Sequence, residues 1–234
     1  LLSQDIRFST FISQAESDLK TLIPVLTDSL FFIYSKTGVR YKYQNPMNKR
    51  RSILETLTLA ECLQNDGRYL AAIEKYLRAI CSEVTWVYPA HDKQLDNFYG
   101  RKIEIDLSSA LTSLRLATVV HLLDDRLSQE SRQLVIDNVS RRVFNPYLNR
   151  LKSDKPFGWM TATHNWNAVC HTGVVGSALA LLQSQEERAW FVYGAEKYSP
   201  FYLSGFGDDG YCSEGLSYWN YGFGNYLLIA SAVD

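Results

Sequence analysis

The chain has 234 residues, 24 lysines and arginines against 25 aspartates and glutamates, a formal charge of −1, and 46% hydrophobic residues. That balance supports a sizeable core, excludes a disordered or fibrous chain, and gives no electrostatic footprint for a phosphate-rich partner, so no nucleic acid is expected. No apolar run approaches the ~18 residues of a membrane span, and Leu1-Leu2-Ser3-Gln4-Asp5 has no basic start leading into an apolar stretch.

Apolar residues recur at three- and four-residue steps over 8–22 and again over 52–63, which predicts two helices. Asn65-Asp66-Gly67 marks a turn and 69–80 resumes the period, so 52–63 and 69–80 read as a helical hairpin. The pattern breaks at 86–89, and His91 falls in a loop with no signal attached. Asp106 is placed to cap a helix whose inner face is Leu107, Ala110, Leu111, Leu114, Ala117, Val120 and His121, which makes His121 a core histidine. Ser128 caps the next helix, with Glu130 in its first turn and Leu134, Val135, Val139 and Val143 facing inward; Pro146 stops it. Residues 155–159 read as a loop. A helix with a small-residue face then runs through Gly173, Gly176, Ala178 and Ala180. No strand-like alternation is long enough for a sheet. The fold class is therefore all-α, and hairpins without a sequence repeat suggest a solenoid or an α/α toroid.

The last third differs in character. From 198 to 226 there are ten aromatics and six glycines in 29 residues, and the only charges are Asp208, Asp209 and Glu214. A turn is required at 207–210. Glu214, Tyr218, Tyr221 and Asn225 then fall at steps of four, three and four, which places them on one helical face. Upstream, His164-Asn165-Trp166-Asn167 packs an imidazole and two carboxamides around an indole. One asparagine suits a helix cap, but the group as a whole also suits a saccharide: amides donate to a carboxylate, and an aromatic face matches a sugar ring. His171 follows His164 by seven residues rather than the four of a helical zinc pair, so no metal is expected. Glu214 is either a first-turn carboxylate favoured by the helix dipole or a cleft acid. Tyr218 and Tyr221 are packing residues unless they join the His/Asn cluster, where phenols would make an acid–base set without carboxylates. Cys62, Cys81, Cys170 and Cys212 form no C-x-x-C pair and read as buried free thiols, with one or two disulfides as the alternative.

The run from His164 to Gly173 resembles the N-W-N-x-V-C-x-x-G signature of the heparinase II/III-like polysaccharide lyases. The run from Asp209 to Gly222 looks like that family's second signature, D-G-x-x-x-E-G-x-x-Y-W-x-Y-G. The resemblance implies an incomplete α/α toroid of antiparallel hairpins filling 1–234 as a single domain. It implies a uronic-acid polysaccharide substrate, of glycosaminoglycan or alginate type, cleaved by β-elimination in the periplasm or outside the cell, with no cofactor. Asn167, helped by Asn165 or His164, would neutralise the uronate carboxylate, and Tyr221 or Tyr218 would move the proton. Trp166 and Trp219 would stack on sugar rings, with His171 and Glu214 also lining the site. Family members usually continue into a β-sandwich, so the chain reads as a piece lacking that C-terminal domain. The alternatives are uronate C5-epimerisation, glycoside hydrolysis on Asp208, Asp209 or Glu214, and a non-catalytic carbohydrate-binding or helical scaffold.

Overall fold

The computed structural model describes residues 6–233. Every element is helical: α1 (Ile6–Leu19), α2 (Asp28–Phe31), α3 (Ile33–Thr37), α4 (Tyr41–Gln64), α5 (Leu70–Cys81), α6 (Leu107–Leu123), α7 (Gln129–Val139), α8 (Asn145–Lys152), α9 (Asn165–Leu181), α10 (Gln185–Tyr198), α11 (Pro200–Leu203) and α12 (Leu216–Val233). An isolated antiparallel bridge, Phe206 to Cys212, is the nearest thing to a sheet among the described residues. The all-α class read from the sequence is what the chain adopts. Among the described residues no helix is long and apolar enough to cross a membrane.

The chain divides into two compact units. One holds the described part of 1–84 together with Val119–Ile136, and the other holds Thr85–Thr118 and 137–233. The first unit is built on the predicted hairpin. Ile53, Leu54, Leu57 and Ala60 of α4 and Ile73, Leu77 and Ile80 of α5 are fully buried. Asn65 ends α4 in the left-handed conformation (φ 55°), and the buried Glu61 carboxylate accepts from the Gly67 and Tyr69 backbone N–H groups and from Arg126. Two acceptor oxygens thus satisfy donors that the turn would otherwise orphan.

Helix α4 begins at Tyr41, well before the predicted 52, and carries Pro46 inside it. The polar composition of 41–51 hides the period from a hydrophobicity reading, because two of its inward positions are arginines. Tyr43, Met47, Arg50, Arg51 and Leu54 are all buried. Glu83 makes this tolerable: both guanidiniums donate to its carboxylate at 2.7–3.1 Å, and Arg50 also donates to the Pro24 and Ala79 carbonyls. Buried charge is stable only when paired and hydrogen-bonded in this way. His121 is exposed on α6, not a core residue; in that turn Val119, Val120 and Leu123 are the residues buried. Pro146 does not stop a helix either. A π-helical turn, Ser140–Phe144, follows α7, and Pro146 sits in the first turn of α8, where its missing N–H costs nothing.

The second unit is organised around α9. Val169, Cys170, His171, Val174, Val175 and Ala178 are buried on all sides of it, as a central helix requires. Small residues let neighbours close in. A Cβ on Gly173 would lie 2.5 Å from the Ala110 backbone of α6, and Ser113 and Ser177 oxygens meet at 3.0 Å along the same seam. On its other side α9 meets α12, where the Thr172 hydroxyl donates to the Asn225 carbonyl at 2.7 Å.

Candidate functional site

The start of α9 settles what the His-Asn-Trp-Asn run does locally. His164, extended and exposed, is the N-cap, its Nδ1 accepting from the Trp166 N–H at 3.4 Å. Neither asparagine caps. Asn165 is met by Glu214 from the loop before α12, whose two carboxylate oxygens accept from the Asn165 backbone N–H (2.7 Å) and side-chain amide (2.5 Å). Glu214 therefore lies outside the helical stripe expected for it and places its negative charge at the N-terminus of a different helix, where the dipole favours it.

Asn167 has no exposure at all. Its amide donates to the Met160 and Tyr198 carbonyls at 2.7 and 2.9 Å, closing the ends of the Gly158–Thr161 turn and of α10. An amide expected to face a substrate carboxylate is instead committed to two backbone acceptors behind α9. His171 lies one turn along, equally sealed. Its Nδ1 is 2.9 Å from the Asn167 carbonyl, and its ring stands edge-on to Trp159 and Tyr147. Burial holds this imidazole down to about 4, against the smaller upward pull of the Asn167 carbonyl, so it is neutral at physiological pH.

Trp166 alone of the motif turns towards a second set of side chains. Its indole packs on the imidazole of His91 with ring centres 4.7 Å apart, and His91 in turn stands edge-on to Tyr88 at 5.7 Å. His91 is oriented by Asp106, Nδ1 lying 2.7 Å from Oδ2. Asp106 is itself held: its other oxygen accepts from the Ser109 N–H that it caps, with the Ser109 hydroxyl at 2.9 Å, and Oδ2 also accepts from the Tyr88 N–H. The predicted cap at Asp106 is present and does double duty. A carboxylate only accepts, so Nδ1 is the ring nitrogen that donates here.

Tyr221, in the second turn of α12, joins this region. Its phenol is within electrostatic reach of Cys170, Tyr88 and Arg115, and the buried Cys170 is within reach of Asp106. Burial, aided by Cys170 and Tyr88 and opposed by the Arg115 guanidinium, pushes the Tyr221 phenol up to about 12. Tyr221 keeps its proton at neutral pH and still has about two fifths of its surface exposed (38%). Tyr218 is exposed, and Trp219 donates from Nε1 to the Gly210 carbonyl while stacking on Phe223, which anchors the 207–210 turn.

The structure thus separates the expected residues into two groups. Asn165, Asn167, His171 and Glu214 hold α9 in place, whereas Trp166 packs on His91, which Asp106 orients and Tyr88 meets edge-on, and Tyr221 lies within electrostatic reach of Tyr88 and Arg115. Sequence reasoning passed over His91, since a lone loop histidine has no period to betray it. The available signal was Asp106, a buried cap with one oxygen to spare. Among the described residues no group of three His, Cys, Asp or Glu side chains is arranged to hold a metal. Among the described residues no disulfide joins the cysteines; Cys81, Cys170 and Cys212 are buried, whereas Cys62 is exposed rather than buried as expected. No protein-family model matches the chain, and no curated protein does.

Proposed function

We propose that the second unit binds a uronic-acid polysaccharide and cleaves it by β-elimination, as part of an incomplete α/α toroid of the heparinase II/III-like type. The observation that carries this reading is the His91–Asp106 pair packed on Trp166, with Tyr88 edge-on to His91 and, like Arg115, within electrostatic reach of the protonated Tyr221 phenol. β-Elimination needs three things at one sugar ring: a counter-charge for the C6 carboxylate, a base for the C5 proton, and an acid for the departing O4. Arg115 supplies the first, the role that Asn167 is too buried to take. Nε2 of His91 takes the C5 proton, with Asp106 stabilising the imidazolium that forms. The C4–O4 bond breaks as the C4=C5 double bond forms, and Tyr221 gives its proton to O4. A high phenol pKa suits an acid and disfavours the opposite assignment of Tyr221 as base. Solvent then returns the proton from His91 to Tyr221. Trp166 offers a stacking surface to the ring. Such polymers are met in the periplasm or outside the cell, which is where the protein would work.

The test is incubation with alginate, hyaluronan, chondroitin, heparan sulfate and heparin while following the ultraviolet absorbance of the conjugated unsaturated uronate. One polymer gives absorbance with the native chain, and His91→Ala or Tyr221→Phe lowers the rate by about a hundredfold or more. Arg115→Gln raises KM as well as lowering kcat. Release of saturated sugars alone refutes elimination and leaves the hydrolase reading.

A further inference from the structure

We propose that α10 carries a second saccharide site, for acidic oligosaccharides, on its outward face. Inward, the helix is already filled: Phe191, Ala195 and Tyr198 are buried, and Gly194 lies so close to the Tyr147 hydroxyl that a Cβ there would collide with it. The core has no further use for large side chains, yet the opposite face bears a tryptophan and a tyrosine three residues apart. Trp190 is 43% exposed and Tyr193 47%. Their ring centres are 6.2 Å apart at 87°, and with Glu186 and the small Ala189 they line a shallow groove of about 380 Å³. One wall is an indole and the other a phenol, with a methyl group for a floor.

The rim decides the occupant. Lys152 of α8 holds its ammonium 5.2 Å from the Trp190 ring centre, and among the described residues no carboxylate pairs with it. Lys197 lies 5.8 Å from the Tyr193 ring centre and is shared with Asp154 at 3.2 Å. A pyranose presents an apolar C–H face to an aromatic ring and hydroxyls around its edge. A uronate adds one carboxylate per ring, which Lys152 receives while Glu186 accepts from a hydroxyl. An apolar protein segment would leave these charges facing carbon, and a neutral glycan would leave Lys152 without its complement. None of these residues belongs to the His91–Trp166 face, so the site stands whether or not elimination occurs there.

The experiment uses the whole chain carrying His91→Ala and Trp166→Ala, so that the proposed catalytic face neither turns over nor grips the probe. Alginate hexasaccharide is titrated by calorimetry, with maltohexaose as the neutral control. Saturable binding of the uronate is expected. Trp190→Ala raises its Kd by about tenfold or more, the scale of removing one stacked ring from a shallow site. Lys152→Gln weakens the uronate and leaves maltohexaose unchanged. Because both aromatics are on the surface, Trp190→Ala melts at the native temperature, which separates impaired binding from impaired folding. Binding that survives Trp190→Ala overturns the proposal, as does the absence of uronate binding, or equal affinity for maltohexaose. A dimer that Trp190→Ala dissociates does so too, since the face would then join two copies. Failure of the elimination reading shows separately, as missing absorbance from the native chain.

Discussion

Glu214→Ala tests whether this carboxylate is a structural clasp. In the native chain its two oxygens accept from the backbone N–H and the side-chain amide of Asn165, a residue only 4% exposed. Alanine removes both acceptors and leaves two donors at the buried start of α9, beside an Asn165 Oδ1 that already lacks a protein partner. Each orphaned donor costs roughly 1–2 kcal/mol, and losing a negative charge at a helix N-terminus adds a few tenths, so the total is about 2–4 kcal/mol. For a chain of this size that lowers Tm by roughly 5–12 °C. Glu214→Gln discriminates further. The glutamine oxygen can keep the backbone bond, and rotation of the Asn165 amide turns its idle Oδ1 towards the new NH2 group. Both hydrogen bonds survive without the charge, and the loss shrinks to about 1 kcal/mol. Calorimetric melts of the three proteins decide. If alanine leaves Tm unchanged, or if alanine and glutamine lower it equally, the clasp is not what holds α9.

Three other consequences follow from the same geometry. His171 binds a proton in the unfolded chain below about 6.5 but in the folded chain only below about 4. The unfolded state therefore holds more protons between those values, and stability falls as pH drops through that window, by on the order of 3 kcal/mol in all. Urea unfolding at pH 7 and pH 4.5 checks this, because His171→Gln removes that share of the acid sensitivity and an unchanged difference contradicts it. Gly173→Ala forces α9 away from the Ala110 backbone and costs about 2–3 kcal/mol. Gly224→Ala meets nothing within 4 Å on α12 and gains about 0.5–1 kcal/mol of helix propensity; opposite shifts in the denaturation midpoint are expected. Asn167→Ala leaves the Met160 and Tyr198 carbonyls unpaired and costs about 2–4 kcal/mol, with turnover unchanged below the lowered Tm. Trp166→Ala does the reverse, weakening substrate affinity with little change in melting.

What the sequence disclosed about the fold was local. The cap at Asp106 and the turn at 65–67 were legible because each is fixed by residues within one helical turn. The first turns of α4 were hidden because their inward positions are Arg50 and Arg51, whose burial depends on Glu83 more than thirty residues away. Pro146 misled for a related reason: a proline excludes a preceding carbonyl only while the α-helical register holds, and the π-turn at Ser140–Phe144 changes that register. His121 failed on direction, since it follows Val120 by about 100° round the helix: Val120 is buried in that last turn and His121 faces solvent.

The site was half legible, and the reason lies in the first turn of α9. A run of His, Asn, Trp and Asn advertises polar chemistry, but successive residues in a helix point about 100° apart, so four neighbours cannot all face one groove. Residue type said that these groups hydrogen-bond without saying to what. The structure divides the run by direction: Asn165 towards Glu214, Asn167 towards two carbonyl ends, and Trp166 towards His91. The amides fix where the indole sits and thereby set the surface on which His91 packs. In the proposed mechanism, chemistry falls to groups recruited from distant parts of the sequence, His91 through a cap fifteen residues ahead of it and Tyr221 through the packing of α12 on α9. A pattern confined to neighbours in sequence identifies the helix that positions such a site more readily than the residues that act in it.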